Sequence, residues 1–584
     1  MQARLFFKSA VTWVVLILII GCSTAYAEKP SSASWSFGVM SDTQWTLSTD
    51  PAGQNPNGVA VSIIDQINRQ FIDKGVKFVI QVGDLTENGN DADIAVRAKA
   101  AQALTTAGIG FFPMRGNHET SAKVGNGYGI AAIQTGFPQT QGSANTFGAT
   151  NFSSPTAVSP DLAGMTYSFD FGPANNNARF VIIDNWATPG KRVDAAGYRY
   201  GYSIAEQQAW ISSRLDSASR GTAHAFVFSH QNLIGENHQD SLFTGYTNAN
   251  PDMQNAFIAG LQKSGVKYYI SGHDHIHQRS IITSPDAASM VEELICASNS
   301  SKFYTPKSTS DADWFGQKSR ETPIRQELYS PGFYIYTVNG PRVTVDYYSD
   351  ANGGFKSDAA YPGTPGSTLG VTPTFNFVKK ETFGYSLNGR EFLVAPGQPY
   401  TVVQDSFSGT TARILAGTNA STAKDASGRH LTNAVDTGWT PGTADIKSNI
   451  LTLWGMAGSL GSDQTDTYTL LLNYDPRSVT DRDLRSGSFG LVIRDNGQWV
   501  LAVDKNAGGT KRFVVGPWDA DAGYGLGTYG VDPATNTVWA VVNKNGDFAA
   551  ARAGSTAMAS PSFLVVPGLV GGFALLRKRS RRRN

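Results

Sequence analysis

Between residues 35 and 271, six short β-rich apolar runs alternate with segments whose apolar residues recur at helical spacing. This alternation restricts the first half of the chain to a layered α/β fold. The runs are 35–40, 77–82, 111–115, 180–184, 224–228 and 267–271. After the first run, Val59, Ile63, Ile67 and Phe71 share one helical face that stops at Gly75. Residues 91–107 predict a second helix, and Ser203-Ile204-Ala205-Glu206 is a capping box that opens a third. A fourth spans 251–264, with Pro251 at its start and Gly265 past its end.

At 584 residues the chain exceeds one compact domain. A Gly/Pro/Ser-rich stretch at 351–374 reads as a linker. It separates an α/β unit at 35–350 from a smaller all-β, sandwich-like unit at 375–552. In the second unit, turns are expected at Asp495-Asn496-Gly497 and at Asn545-Gly546. Trp439, Trp499 and Trp518 serve either its core or a glycan, and its sequence assigns it no role. The stretch 121–164 is rich in Gly, Ser, Thr and Asn with little periodicity. It reads as a long loop, either selecting substrate or decorating the surface.

Both ends carry targeting signals. Arg4 and Lys8 precede an apolar run at 10–20, and Ala25-Tyr26-Ala27 fits a small-x-small cleavage site, so 1–27 reads as an export leader. The alternative is Ile19-Ile20-Gly21-Cys22, a loose lipoprotein box with Cys22 acylated. Cleavage at Ala27 leaves Cys296 alone, so no intrachain disulfide is expected. Near the other end, a 14-residue mostly apolar run (563–576) meets a basic terminus with six Arg and Lys in its last eight residues. The run is short for a bilayer span, but the basic end would stop translocation, so membrane or cell-surface attachment is expected. Residues 560–584 resemble the PEP-CTERM class of bacterial sorting tails, although Val566-Pro567-Gly568 lacks the Glu of that motif. With the two termini set aside, 40 bases face 47 acids, a net charge of −7, which leaves no footprint for nucleic acid.

Five segments carry the chemistry, each just past a predicted strand: Asp42-Thr43-Gln44, Gly83-Asp84, Gly116-Asn117-His118-Glu119, Ser229-His230 and Gly272-His273-Asp274-His275. Ligands of α/β sheets collect outside the carboxyl ends of strands, so segments far apart in sequence can meet there. Carboxylate, amide oxygen and imidazole together suit a pair of divalent ions. The series resembles the calcineurin-like metallophosphoesterase superfamily, with its pattern D-x-H, G-D, G-N-H-[DE], H, G-H-x-H. The resemblance implies a four-layer sandwich of two mixed β-sheets flanked by helices. It also implies a dinuclear centre whose bridging hydroxide attacks a phosphoester. Asp42, Gln44 and His275 would hold one ion, Asn117, His230 and His273 the other, and Asp84 would bridge them. His118 would protonate the leaving group. Glu119 would orient His118, and Arg115 either meets a phosphate oxygen or is a strand-end surface residue. His238 and His277 line the site, stand behind it or are simply solvated, whereas His224 and His430 are structural.

Two positions depart from the superfamily. Gln44 stands where His is usual, and an amide oxygen favours Mn²⁺, Fe²⁺ or Mg²⁺ over Zn²⁺. Glu87 occupies the place of the tyrosine that purple acid phosphatases use to bind iron, so no purple charge-transfer band is expected. The expected function is an exported metal-dependent phosphatase or phosphodiesterase, acting on a phosphoester substrate. A surface interaction protein with a decayed catalytic domain is the alternative.

Overall fold

Three parallel strands, β1 (Trp35–Met40), β2 (Phe78–Gln81) and β3 (Gly110–Pro113), begin the first sheet of the computed structural model. The second sheet follows with β4 (Thr150–Ser153), β5 (Tyr167–Phe171), β6 (Ala178–Ile183) and β7 (His224–Ser229). After a two-stranded ribbon, β8 (Asp240–Ser241) with β9 (Gly245–Tyr246), it continues with β10 (Tyr268–Ser271), β11 (His277–Thr283), β12 (Met290–Ile295) and β13 (Glu321–Glu327). The chain then returns to the first sheet as β14 (Gly332–Asn339), β15 (Arg342–Asp350) and β16 (Phe377–Ser386). The strand orders are β16-β15-β14-β1-β2-β3 and β13-β11-β12-β10-β7-β6-β5-β4, and both sheets are mixed. The structure describes residues 34–555 except 48–49, 121–128, 187–203, 244, 247–248, 309–317, 354, 356–371, 402 and 457–463. The expected leader with Cys22, the tail at 560–584 and most of the 351–374 linker lie outside the described residues. Among the described residues, no helix is long and apolar enough to cross a membrane.

The two sheets face each other across an aromatic core that includes Phe37, Phe78, Phe112, Phe169, Phe180, Phe226 and Tyr336. Each of these rings is fully buried, and such burial contributes about 2–3 kcal/mol per phenyl side chain. Helices cover the outer faces. On the first sheet lie α1 (Val61–Asp73), α2 (Asp91–Ala100), α3 (Gln102–Thr106) and α4 (Ile130–Gly136), which seat Ile63, Ile67, Phe71, Ile94, Leu104 and Ile133. On the second lie α5 (Ile204–Leu215) and α6 (Pro251–Lys263), through Ile211, Leu215, Phe257 and Leu261. The outcome is the layered α/β fold that strand–helix alternation implied, in the four-layer α/β/β/α form that the superfamily resemblance implied.

Three local expectations change. The helix expected at 91–107 is two helices that meet at Ala101. The presumed 121–164 loop holds α4 and β4, because Ile130 and Ile133 find a buried seat and 150–153 pairs with the edge of the second sheet. The first unit also extends past the linker. β16 runs antiparallel to β15 from Arg342↔Ser386 to Asp350↔Phe377, and Phe383 and Tyr385 enter the aromatic core. From the same strand, Glu381 pairs with Arg279 and His277 of β11, which ties the two sheets together.

Beyond β16 the chain forms a sandwich of two six-stranded sheets. One orders Glu391–Val394, Asn433–Thr440, Ile450–Trp454, Gly546–Arg552, Phe489–Asp495 and Gln498–Leu501. The other orders Val403–Phe407, Thr410–Gly417, Gln464–Asn473, Thr537–Lys544, Thr528–Asp532 and Arg512–Val515. Trp439 and Trp499 are core residues, and Trp518 is half-buried. Asn545-Gly546 is a crossover between the sheets, not a hairpin turn, since the strands on either side of it pair in different sheets.

Candidate metal centre

β1, β2 and β3 of one sheet, and β7 and β10 of the other, end at the same edge of the sandwich, and all five segments meet there. Backbone bonds stitch the ends together: Thr43 N–H donates to Asp84 O at 2.8 Å, and Gly272 N–H to His230 O at 3.1 Å. Asp42, Asp84, His273 and His275 all have positive φ (47°, 43°, 73° and 56°). Such a conformation costs a non-glycine residue energy and persists where the surroundings over-determine it, most often at functional sites. Gly116 explains itself by closeness: a Cβ there would lie 2.0 Å from Asp84 Oδ1.

Two buried ligand groups share one carboxylate. Asp84, His230 and His273 form one, Asp42, Asp84 and His275 the other, and within each group the ligand atoms lie within 4.8 Å of one another. His230 Nε2 is 3.3 Å from Asp84 Oδ1 and 3.2 Å from Asn117 Oδ1. His275 Nε2 is 3.2 Å from both Asp42 Oδ1 and Gln44 Nε2. Every predicted ligand is therefore at the site, including Asn117 and Gln44, which are half-buried and buried. Burial opposes charge on His230, but the Asp84 and Asp42 carboxylates push its pKa up to about 10. The cluster thus calls for positive charge. Gln44 turns Nε2 toward Asp84 Oδ2, at 3.1 Å, and leaves Oε1 buried without a hydrogen-bond partner among the described residues; turned over, the amide would aim Oε1 at the cluster, where a cation would satisfy it. Hard oxygen donors with imidazoles, and an orphaned amide oxygen among them, fit a pair of divalent ions.

Residues 36–277 match the family model for calcineurin-like phosphoesterases. This stretch is a calcineurin-like metallophosphoesterase domain. Among solved structures, the chain is similar to a dimetal phosphatase from Danio rerio at 15% identity, covering 54% of this chain and 96% of that one, with a TM-score of 0.32. It is also similar to PhoD, at 14% identity over 61% of this chain and 71% of that one, with a TM-score of 0.37. A purple acid phosphatase from yellow lupin (Lupinus luteus) seeds is similar at 14% identity over 56% and 54%, with a TM-score of 0.35. No curated protein matches the chain.

Around the ligands of the metallophosphoesterase domain, several side chains differ from expectation. His118 stands beside the ligand groups, with Nδ1 2.6 Å from Glu87 O and Nε2 3.8 Å from Asp84 Oδ2. The hydrogen bonds of the Glu119 carboxylate go elsewhere. It accepts from Thr86 N–H at 3.0 Å and Gly116 N–H at 2.8 Å, clamping the loops after β2 and β3. Burial first, and then the Asp84 charge, raise the Glu119 pKa to about 7. Arg115 pairs with Asp184 at 2.6 Å, both fully buried, so it is not a strand-end surface residue. His277 is held by Tyr334 and Glu381 and stacks on Tyr347, so it belongs to the network between the sheets. His224, bonded to Tyr385 and Gly340, is structural as expected.

Sequence reasoning missed a layer behind the GHDH ligands. Asp240 Oδ1 lies 3.2 Å from His273 Nε2, and Asp274 Oδ1 lies 2.6 Å from Nδ1 of His238, whose ring stacks on His273 at 4.1 Å. Carboxylates placed behind ligating histidines fix their rings. Asp240 lies in a motif-free polar stretch, so no local signal marks it. Lys302 is also buried here. Its carbonyl is 2.8 Å from His275 Nδ1, and its ammonium sits over the Tyr304 ring. For Gln44→His, tighter binding of one ion is the expected result, with a larger gain for Zn²⁺ than for Mn²⁺. Calorimetric titration of the metal-stripped protein checks this, and unchanged or looser affinity would refute it.

Proposed function

We propose that this chain is an exported phosphoester hydrolase, a phosphatase or phosphodiesterase, working through a dinuclear metal centre. The observation that carries the reading is that Asp84 belongs to both buried ligand groups, as a bridging carboxylate must. Two divalent ions held there would acidify a bridging water into a nucleophile and neutralise phosphoryl oxygens. Asp42, Gln44 and His275 would hold one ion, Asn117, His230 and His273 the other. His118, with Nδ1 anchored on the Glu87 carbonyl, presents Nε2 to the leaving oxygen. Burial lowers the Lys302 pKa while the charges of Glu87, Asp84 and Asp42 oppose that; in its protonated form it adds a cation that suits an anionic substrate. Export, and attachment through the terminal apolar segment, are supported by the sequence of the two ends.

The test is hydrolysis of p-nitrophenyl phosphate and bis-p-nitrophenyl phosphate by the full chain. Turnover of at least one is expected with Mn²⁺, abolished by chelator and restored by added Mn²⁺. Two bound ions with no turnover of either substrate would favour a surface binding protein instead.

A further inference from the structure

A loop of the C-terminal sandwich reaches toward the metal centre of the catalytic unit. Arg429 forms ion pairs with Asp425 of its own loop at 2.7 Å, with Glu321 at the start of β13 at 2.7 Å, and with Glu236 at 3.2 Å. Glu236 is fully buried and also pairs with Lys318. It belongs to the stretch between His230 and β8 that wraps the metal centre. The backbone N–H groups of Glu236, Asn237 and His238 all donate to the Asp274 carboxylate, which sits between His273 and His275. Four residues after Glu236 comes Asp240, whose carboxylate steadies His273.

A second thread runs in parallel. Ser427 Oγ donates to Lys307 O at 2.9 Å, and Lys307 N–H donates to Glu236 O at 2.8 Å. The segment that ends at Lys307 carries Lys302, whose carbonyl holds His275. Through Arg429 and Ser427, the sandwich therefore grips both segments that stand behind the GHDH ligands.

We infer that the sandwich is a working part of the metal centre and that Arg429 is a positioning residue for His273 and His275, acting through Glu236 and Asp274. The physics is that of a buried charge network. Without the guanidinium, Lys318 is the one cation among the described residues left to pair Glu236 and Glu321, and an undercompensated buried carboxylate moves or takes a proton. Either response shifts the loop whose amides hold Asp274. The sandwich also meets the catalytic unit elsewhere, through Arg342–Asp547 at 3.1 Å. Arg342 opens β15 next to the end of β14 that pairs with the start of β1, away from the strand ends that carry the ligands. That pair serves as the control.

The inference rests on the proposed metal centre, so the test reads ion binding. Mn²⁺ is titrated calorimetrically into the metal-stripped full chain, with thermal melts to confirm folding. Two ions are expected in the wild type. In Arg429→Gln, at least one of the two is expected to bind at least about tenfold more weakly, the scale for lost support behind a ligand. Arg429→Lys should recover part of that loss, and Arg342→Gln should bind as the wild type does. Should Arg429→Gln fail to melt cooperatively, Ser427→Ala carries the test, with weakening of at least one ion expected. Wild-type affinities in folded Arg429→Gln, or in Ser427→Ala where that variant stands in, overturn the inference. So does an equal loss in Arg342→Gln. A wild type that binds no Mn²⁺ overturns the metal-centre reading itself, and this inference with it.

Discussion

Asp84→Asn is expected to lower phosphoester turnover by about 10⁴-fold and to reduce the bound ions from two to at most one. Among the described residues, no other side chain belongs to both ligand groups. Two divalent ions a few ångströms apart repel, and a shared carboxylate is what offsets that repulsion. The substitution is nearly isosteric, so an Asn side chain still fills the space that Gly116 leaves open and can still accept from the His118 backbone N–H. The loss should therefore appear as chemistry rather than as unfolding. The same carboxylate is the main attraction that raises His230 to a pKa of about 10 against the penalty of burial. In the metal-stripped wild type, an ion must displace that proton, so binding at neutral pH releases about one proton. Asp84→Asn should lose most of this release, which calorimetry in buffers of different ionisation enthalpy measures. A variant that keeps two ions and more than about a tenth of the turnover would remove Asp84 from the bridge.

The centre was legible because its ligands occupy short segments that combine a tight turn with a donor, and because strand ends converge by a general rule of α/β sheets. That rule brings the five segments together; the choice of Asp42, Asp84, Asn117, His230, His273 and His275 as ligands follows from the superfamily pattern they match. What escaped is long-range in character. β16 follows a Gly/Pro-rich stretch that looks like a domain boundary, and only its pairing with β15 returns it to the first sheet. The superfamily pattern pairs Glu119 with its chain neighbour His118, yet the tight turn at 116–119 sends its carboxylate back to Gly116 and across to Thr86. Asp240 and Glu236 sit in a polar stretch whose meaning depends on Asp274 and Arg429, remote in the chain. Sequence patterns report local geometry, and buried charge networks are not local.

His118→Gln is the sharper test of mechanism, because general acid catalysis depends on the leaving group. The proposed acid acts on the departing oxygen, so its value scales with how poorly that oxygen leaves without a proton. For simple alkyl phosphoesters, kcat is expected to fall by about 10²–10³-fold. For p-nitrophenyl esters, whose phenolate leaves unaided, the loss should stay within about tenfold. The metal content should remain at two ions, since His118 belongs to neither ligand group. The rival explanation is mechanical: His118 Nδ1 lies 2.6 Å from Glu87 O, and its loss could loosen the loop after β2 that carries Asp84. A loosened loop would weaken ion binding and slow both substrates alike. Unequal losses with intact metal content therefore assign His118 to proton transfer, whereas equal losses or a missing ion would make it a prop for the bridge.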